Sequence, residues 1–216
     1  MNDSVCVEKC LKHATARAKS DVANKLVSMF LHEVSRRIAL ELGMKVTDEA
    51  YAHQVKSVFG SRCAFCACEL EKDRLAVEHL EGMNRVRLGL HIPSNVVLAC
   101  KECNREKRRD DQQASLTLAQ TGWLSFLAHD GSRCPTNCKT CSYWEAKWAD
   151  KEIRSRQLNM AVERIQSFQT HFASFVHRAT ALKSIIQRDV EALYREGQDF
   201  ATNRIAALTS ELLTAR

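Results

Sequence analysis

Apolar positions in the first sixty residues recur at helical spacing. Val22, Leu26, Phe30, Val34 and Ile38 form one stripe, which stops at Gly43. The stripe predicts an amphipathic helix beginning at Ser20-Asp21, whose side chains suit an N-terminal cap, and ending on a glycine suited to the C-terminal turn. Thr47-Asp48-Glu49 opens a second helix that carries Val55 and Phe59 and closes at Gly60. The helical period then disappears. Leu75 to Leu80 and Asn95 to Ala99 read as two short strands, and Gly82, Gly89 and Pro93 punctuate the loop between them. Lys101 to about Gln113 is polar, basic and free of Gly and Pro, which predicts a short helix.

Farther along, Leu116, Leu118, Trp123, Leu124, Phe126 and Leu127 predict a helix against the core, with a break at Gly131-Ser-Arg-Cys-Pro135. From about Tyr143 to Arg195 there is no Gly or Pro and a heptad register fits. Leu158, Ile165, Phe172, Ala179, Ile186 and Leu193 fall on one position, and Ala161, Phe168, Phe175 and Leu182 on its partner. A sustained 3.5-residue period predicts a long helix in coiled-coil-like packing, against the N-terminal helices or against a second subunit. Gly197 is expected to bend or end it, and Thr202 to Thr214 resumes as a shorter amphipathic helix.

Composition adds limits to this picture. A chain of 216 residues, 45% apolar and 27% charged, can bury the core of one or two domains. A net charge of +6 permits a polyanionic partner without demanding one. The first twenty residues lack an apolar secretory core, and no apolar stretch approaches the roughly 18 residues of a membrane span. The expectation is a cytoplasmic protein without membrane contact, in which ten cysteines are better explained by metal than by disulfides.

The cysteines fall in groups. Cys63/Cys66 and Cys100/Cys103 are two Cys-x2-Cys pairs bracketing the predicted strands, and four such thiolates can surround one Zn2+ tetrahedrally. Cys68 is an alternative ligand, with Cys66 expected to prevail because its spacing mirrors the second pair. Cys134, Cys138 and Cys141 allow a second zinc, with His129 or an N-terminal cysteine as fourth ligand. Iron-sulfur ligation is the lesser alternative, and the chain lacks the strand-helix repeats of a radical-SAM barrel. Cys6 and Cys10, four residues apart, share a helix face and read as small buried side chains.

Inside the bracket stand Glu78-His79, Asn95 in PSNVVLAC and Asn104 in CKECNREK. This ensemble, with both knuckles in place over residues 58 to 112, resembles the HNH endonucleases of the ββα-metal fold, in the subgroup framed by four zinc cysteines. The resemblance implies that His79 is the general base, that Asn95 holds the loop carrying it, and that Glu78 and Asn104 offer oxygens to a catalytic Mg2+ or Mn2+. It implies hydrolysis of DNA phosphodiester bonds to a 5'-phosphate and a 3'-hydroxyl, in settings such as restriction or anti-phage defence. In the family the acidic residue is more often Asp and the last position often His, so Glu78 and Asn104 are variants of the pattern. His91 is a rival base without an acidic neighbour.

Lys101, Arg105, Lys107, Arg108 and Arg109 follow the second knuckle and are expected to contact phosphates, the plainer reading being a solvated helix face softened by Glu102, Glu106, Asp110 and Asp111. The fold expected is mostly α with a small zinc-pinned ββα-metal module and long C-terminal helices in coiled-coil-like packing. Its divisions are a helical region over 1–57, the HNH module over 58–115, a cysteine-rich connector over 116–142 and a long-helix region over 143–216. A homodimer or a partner protein would engage those last helices. The alternative function is a zinc-dependent module that binds nucleic acid or protein without cutting.

Overall fold

The computed structural model describes residues 7–113, 122–129 and 134–214, and these are mostly helical with one small sheet. The chain divides into two compact units, one running from Leu31 to Lys183 and the other combining residues up to Phe30 with those from Ser184 onward.

Helix α1 spans Val7–Leu42 and passes through Ser20-Asp21 without a break. The segment holds no Gly or Pro, so nothing in it opposes continuation. Its inward stripe runs one position after the expected one at four places and rejoins it at Ile38. Ala23, Val27, Leu31, Ser35 and Ile38 are buried, whereas Val22 is 49% exposed. Small residues occupy the close contacts, and a count of large apolar side chains overlooks them. Cys6 and the Cys10 side chain lie outside the described residues.

Helix α2, Glu49–Phe59, matches expectation at both ends. Asp48 precedes its first turn and accepts a hydrogen bond from the Lys45 amide at 2.7 Å, and Gly60 follows its last at φ +62°. Its Tyr51, Val55 and Phe59 point inward. Strand β1, Leu75–His79, then pairs antiparallel with β2, Val96–Cys100, placing His79 opposite Val96 and Glu78 opposite Val97. Helix α3, Lys101–Gln113, leaves β2 without a connecting residue, so strand, loop, strand and helix follow in the expected order. Successive strand side chains face opposite ways. Glu78 therefore turns toward α3 and His79 turns toward the loop.

The connector contains α4, Gly122–Leu127, and α5, Lys139–Lys147, joined where Trp144 Nε1 donates to the Phe126 carbonyl at 3.0 Å. Of the apolar residues predicted there, Trp123, Phe126 and Leu127 are buried, while Leu116 and Leu118 lie outside the described residues.

The single long helix expected from Tyr143 is instead divided. Helix α6 spans Lys151–Thr170 and α7 spans Ala173–Thr214. Asp150 starts α6 by accepting from the Ile153 amide at 2.8 Å, a capping signal that absence of Gly and Pro conceals. A turn at His171-Phe172 separates α6 from α7 and sets Phe172 against Tyr51, ring centroids 5.2 Å apart. Phe168 packs on Tyr51 and Phe59 of α2. The seam from Leu158 to Phe175 is thus buried within the chain, against an N-terminal helix. Helix α7 runs straight through Gly197, where a Cβ would stand 2.9 Å from Leu26 Cδ1 of α1. That glycine permits close helix approach and does not end the helix.

Candidate metal centre and histidine cluster

The two knuckles come together as predicted, with one thiol more than a tetrahedral ion needs. The ligand atoms of Cys63, Cys66, Cys68 and Cys100 all lie within 4.8 Å of one another, and Cys66 Sγ is 3.9 Å from Cys100 Sγ. Tetrahedral ligation at Zn–S about 2.3 Å separates sulfurs by roughly 3.8 Å, so this spacing suits the ion. Cys103 is wholly buried, interacts with the thiols of Cys100, Cys63 and Cys66, and lies 3.1 Å from the Tyr143 hydroxyl. Its amide donates to Cys100 Sγ at 3.4 Å, which closes the second knuckle around that sulfur.

Five sulfurs therefore compete for four positions, and the two candidates for the last are Cys68 and Cys103. Mutual sulfur distances favour Cys68, which is part-exposed, while burial and the knuckle hydrogen bond favour Cys103. The knuckle speaks for Cys103, because a buried sulfur joined to three others is the one that gains most from a cation. The charge pattern agrees. Hydrogen bonding to Cys100 holds the Cys63 thiol up at about 11, and Cys66 is raised likewise, while donors from Cys103, Cys63 and Cys66 hold Cys100 well below its ordinary value. One thiolate is shared among protonated neighbours, and a dication would let the set ionise together.

On the other side of β1, His79 Nε2 lies 3.0 Å from His91 Nδ1, and the His91 ring sits 5.7 Å from that of His32 in α1. Burial foremost, with His91 and Lys107 nearby, pulls His79 down to about 4. It is a neutral imidazole at pH 7. His91 is held in turn by its own amide, which donates to Ser35 Oγ at 2.8 Å, and Ser35 donates to the Leu31 carbonyl. The sequence offers no sign of Ser35, a lone polar residue on an otherwise apolar helix face.

Asn95 closes the loop between the strands from three directions. Its Oδ1 accepts from the Glu81 amide at 2.7 Å, and its Nδ2 donates to the carbonyls of Glu81 at 3.1 Å and Leu90 at 2.7 Å. Gly89 allows that closure, since a Cβ there would stand 1.8 Å from the Glu81 carbonyl oxygen. The Asn95 bonds tie the Glu81 and Leu90 ends of the loop together through one side chain.

Glu78 is 4% exposed, and its Oε1 lies 3.2 Å from the Nζ of Lys107, which is fully buried. Contrary to the expectation for the basic run, Lys107 faces inward to pair with Glu78 and is no phosphate contact. Asn104 stands one turn earlier on the same inward face and is 8% exposed. Lys101, Arg105 and Arg108 are exposed, while Arg109 is half-buried beside Glu106. Glu78 on β1 and Asn104 on α3 are thus both buried oxygen-bearing side chains, and the Glu78 carboxylate is already paired with the Lys107 ammonium.

Of the second cysteine group, Cys134, Cys138 and Cys141 gather around His129, all ligand atoms within 4.8 Å of one another. No family model, curated protein or solved structure matches this chain. No helix among the described residues is long and apolar enough to cross a membrane.

Proposed function

We propose that the chain is a metal-dependent endonuclease that hydrolyses DNA phosphodiester bonds through the β1–loop–β2–α3 unit. The observation that carries this reading is the loop, in which Asn95 makes three hydrogen bonds that hold the strand end where His79 stands. A purely structural zinc knuckle has no use for a buried asparagine bracing a histidine. In this reading Zn2+ is held by Cys63, Cys66, Cys100 and Cys103 and fixes the module. Glu78 and Asn104 would hold Mg2+ or Mn2+, which when bound offsets charge gathering on the phosphate and the departing oxygen.

The chain's own part is proton handling and placement. His79 stays neutral at pH 7 because burial disfavours its cation. With the Nε2 proton of His79 donated to His91 Nδ1, the Nδ1 lone pair of His79 is left to take a proton from the attacking water. His91, which the sequence offers as a rival base, acts here as the group that orients His79. Exposed Lys101, Arg105 and Arg108 supply charge for the phosphate backbone.

One observation favours the other reading, a binding module without catalysis. Lys107 already neutralises Glu78 inside the unit. Cleavage of supercoiled plasmid with Mg2+ or Mn2+ separates the two. Wild-type protein is expected to nick or linearise DNA, and zinc-loaded His79→Ala to lose at least 100-fold of that rate. Equal cutting by both would remove His79 from the base role. Retention of DNA without cutting, by both proteins and with either ion, would establish the binding module.

A further inference from the structure

We propose that His129, Cys134, Cys138 and Cys141 form a second zinc site, distinct from the knuckle centre, and that it is locked to the motif helix α3 by Asp110. The ligand type alone does not carry this, since three cysteines and a histidine in a connector can fall together without purpose. The orientation of the histidine does. His129 Nδ1 faces the sulfurs, at 3.1 Å from Cys134 Sγ, 3.2 Å from Cys138 Sγ and 3.9 Å from Cys141 Sγ. Ligation at Zn–N about 2.0 Å and Zn–S about 2.3 Å would set these separations at roughly 3.5 Å, the middle of the range found.

The opposite ring nitrogen is equally committed. His129 Nε2 lies 2.9 Å from Asp110 Oδ1, and the same oxygen accepts from Thr140 Oγ1 at 3.0 Å. Asp110 and Thr140 are almost wholly buried, at 3% and 1% exposure. A carboxylate behind a histidine fixes the proton on Nε2 and leaves Nδ1 as the ligand, the arrangement metal sites use to orient imidazole. A sealed aspartate is costly unless something positive stands near it, and a zinc-bound imidazole meets that need. Asp110 belongs to α3, which also carries Asn104 and Lys107. An ion held by the connector therefore braces the far end of the helix whose first turn carries Cys103 of the knuckle.

Metal content of the full-length protein gives the first test. Two zinc ions per chain are expected in the wild type, one in Cys138→Ser, and two in His129→Cys, which replaces nitrogen by sulfur. With Co2+ in place of zinc, His129→Cys should move the visible bands toward those of an all-thiolate site and leave the knuckle's contribution unchanged. Asp110→Asn, which keeps the side-chain shape, should weaken the second ion by about 10- to 100-fold while the first is retained. Alkylation of the native wild type needs no variant: Cys134, Cys138 and Cys141 should be protected until a chelator is added. One zinc per chain with these three thiols freely alkylated would overturn the site. Unchanged second-ion affinity in Asp110→Asn would overturn the link to α3.

Discussion

At the scale of single residues, the surroundings of His79 have a consequence that pH can measure. Its pKa falls from 6.5 to about 4 on folding, chiefly through burial. The folded state therefore binds fewer protons than the unfolded state between those values, so stability must rise with pH across that window and level off above it. Acidification from pH 6.5 toward 4 should destabilise wild-type protein, at no more than about 1.4 kcal/mol per pH unit from one histidine. His91, lowered by its own burial, adds to the same trend. Urea unfolding at pH 7 and pH 5.5 should show a smaller acid penalty in His79→Gln than in the wild type. Thiol protonation contributes equally to both proteins, so an identical penalty would assign the effect to other groups. The residue scale is also where sequence was least legible. Lys107 reads as one more cation in a basic run, and only its position on α3 opposite Glu78 turns it inward. Ser35 and Asp110 have no motif at all, because their importance comes from what stands across from them. Asn95 was singled out only through the resemblance of its motif to a family, since nothing in its own spacing says that its side chain would bridge Glu81 and Leu90.

Elements were more legible than residues wherever local chemistry marks their ends. Helix α2 was readable from Asp48 and Gly60, and α3 from a short polar, basic run without Gly or Pro that follows a strand. The long helices were not, because a run without Gly or Pro says where a helix can continue and leaves unsaid where packing or an aspartate cap will end it. The same distinction governs how β1 holds α3. Glu78 and Lys107 form an ion pair whose side chains are 6% and 0% exposed, and removing one member of such a pair is costlier than replacing both. Lys107→Met should destabilise the fold by about 3–5 kcal/mol. Adding Glu78→Leu to it should recover a large part of that loss. Equilibrium denaturation of both variants would show it, and equal instability of the single and double variants would mean that the pair is not the source. DNA retention by Lys107→Met at wild-type strength would follow from the same geometry, since a sealed ammonium contacts no phosphate.

For the molecule as a whole, both cysteine groups and the two strands lie in one compact unit, Leu31 to Lys183. Its sheet has only two strands, and an isolated pair of that size is marginal in water. Aromatic packing extends it, with Trp144 stacked on Trp148 at 5.4 Å and Tyr143 beside both Trp144 and the Cys103 sulfur. Structural zinc contributes about 10–16 kcal/mol of apparent binding energy in small zinc domains, and whole domains are stable by only about 5–15 kcal/mol. Removing the knuckle zinc should therefore unfold this unit at room temperature and not merely lower its melting point. Titration with a strong chelator, following zinc release together with tryptophan fluorescence and far-ultraviolet circular dichroism, is the measurement. Fluorescence should shift to the red as the knuckle zinc leaves, because Trp144 is fully buried while the unit is intact. Helical signal should fall in step with it, since α5 reaches the knuckle through Tyr143 and α3 begins at it. Release of all zinc with both signals unchanged would mean that apolar packing alone holds the unit, and the five buried and half-buried sulfurs would then need another purpose.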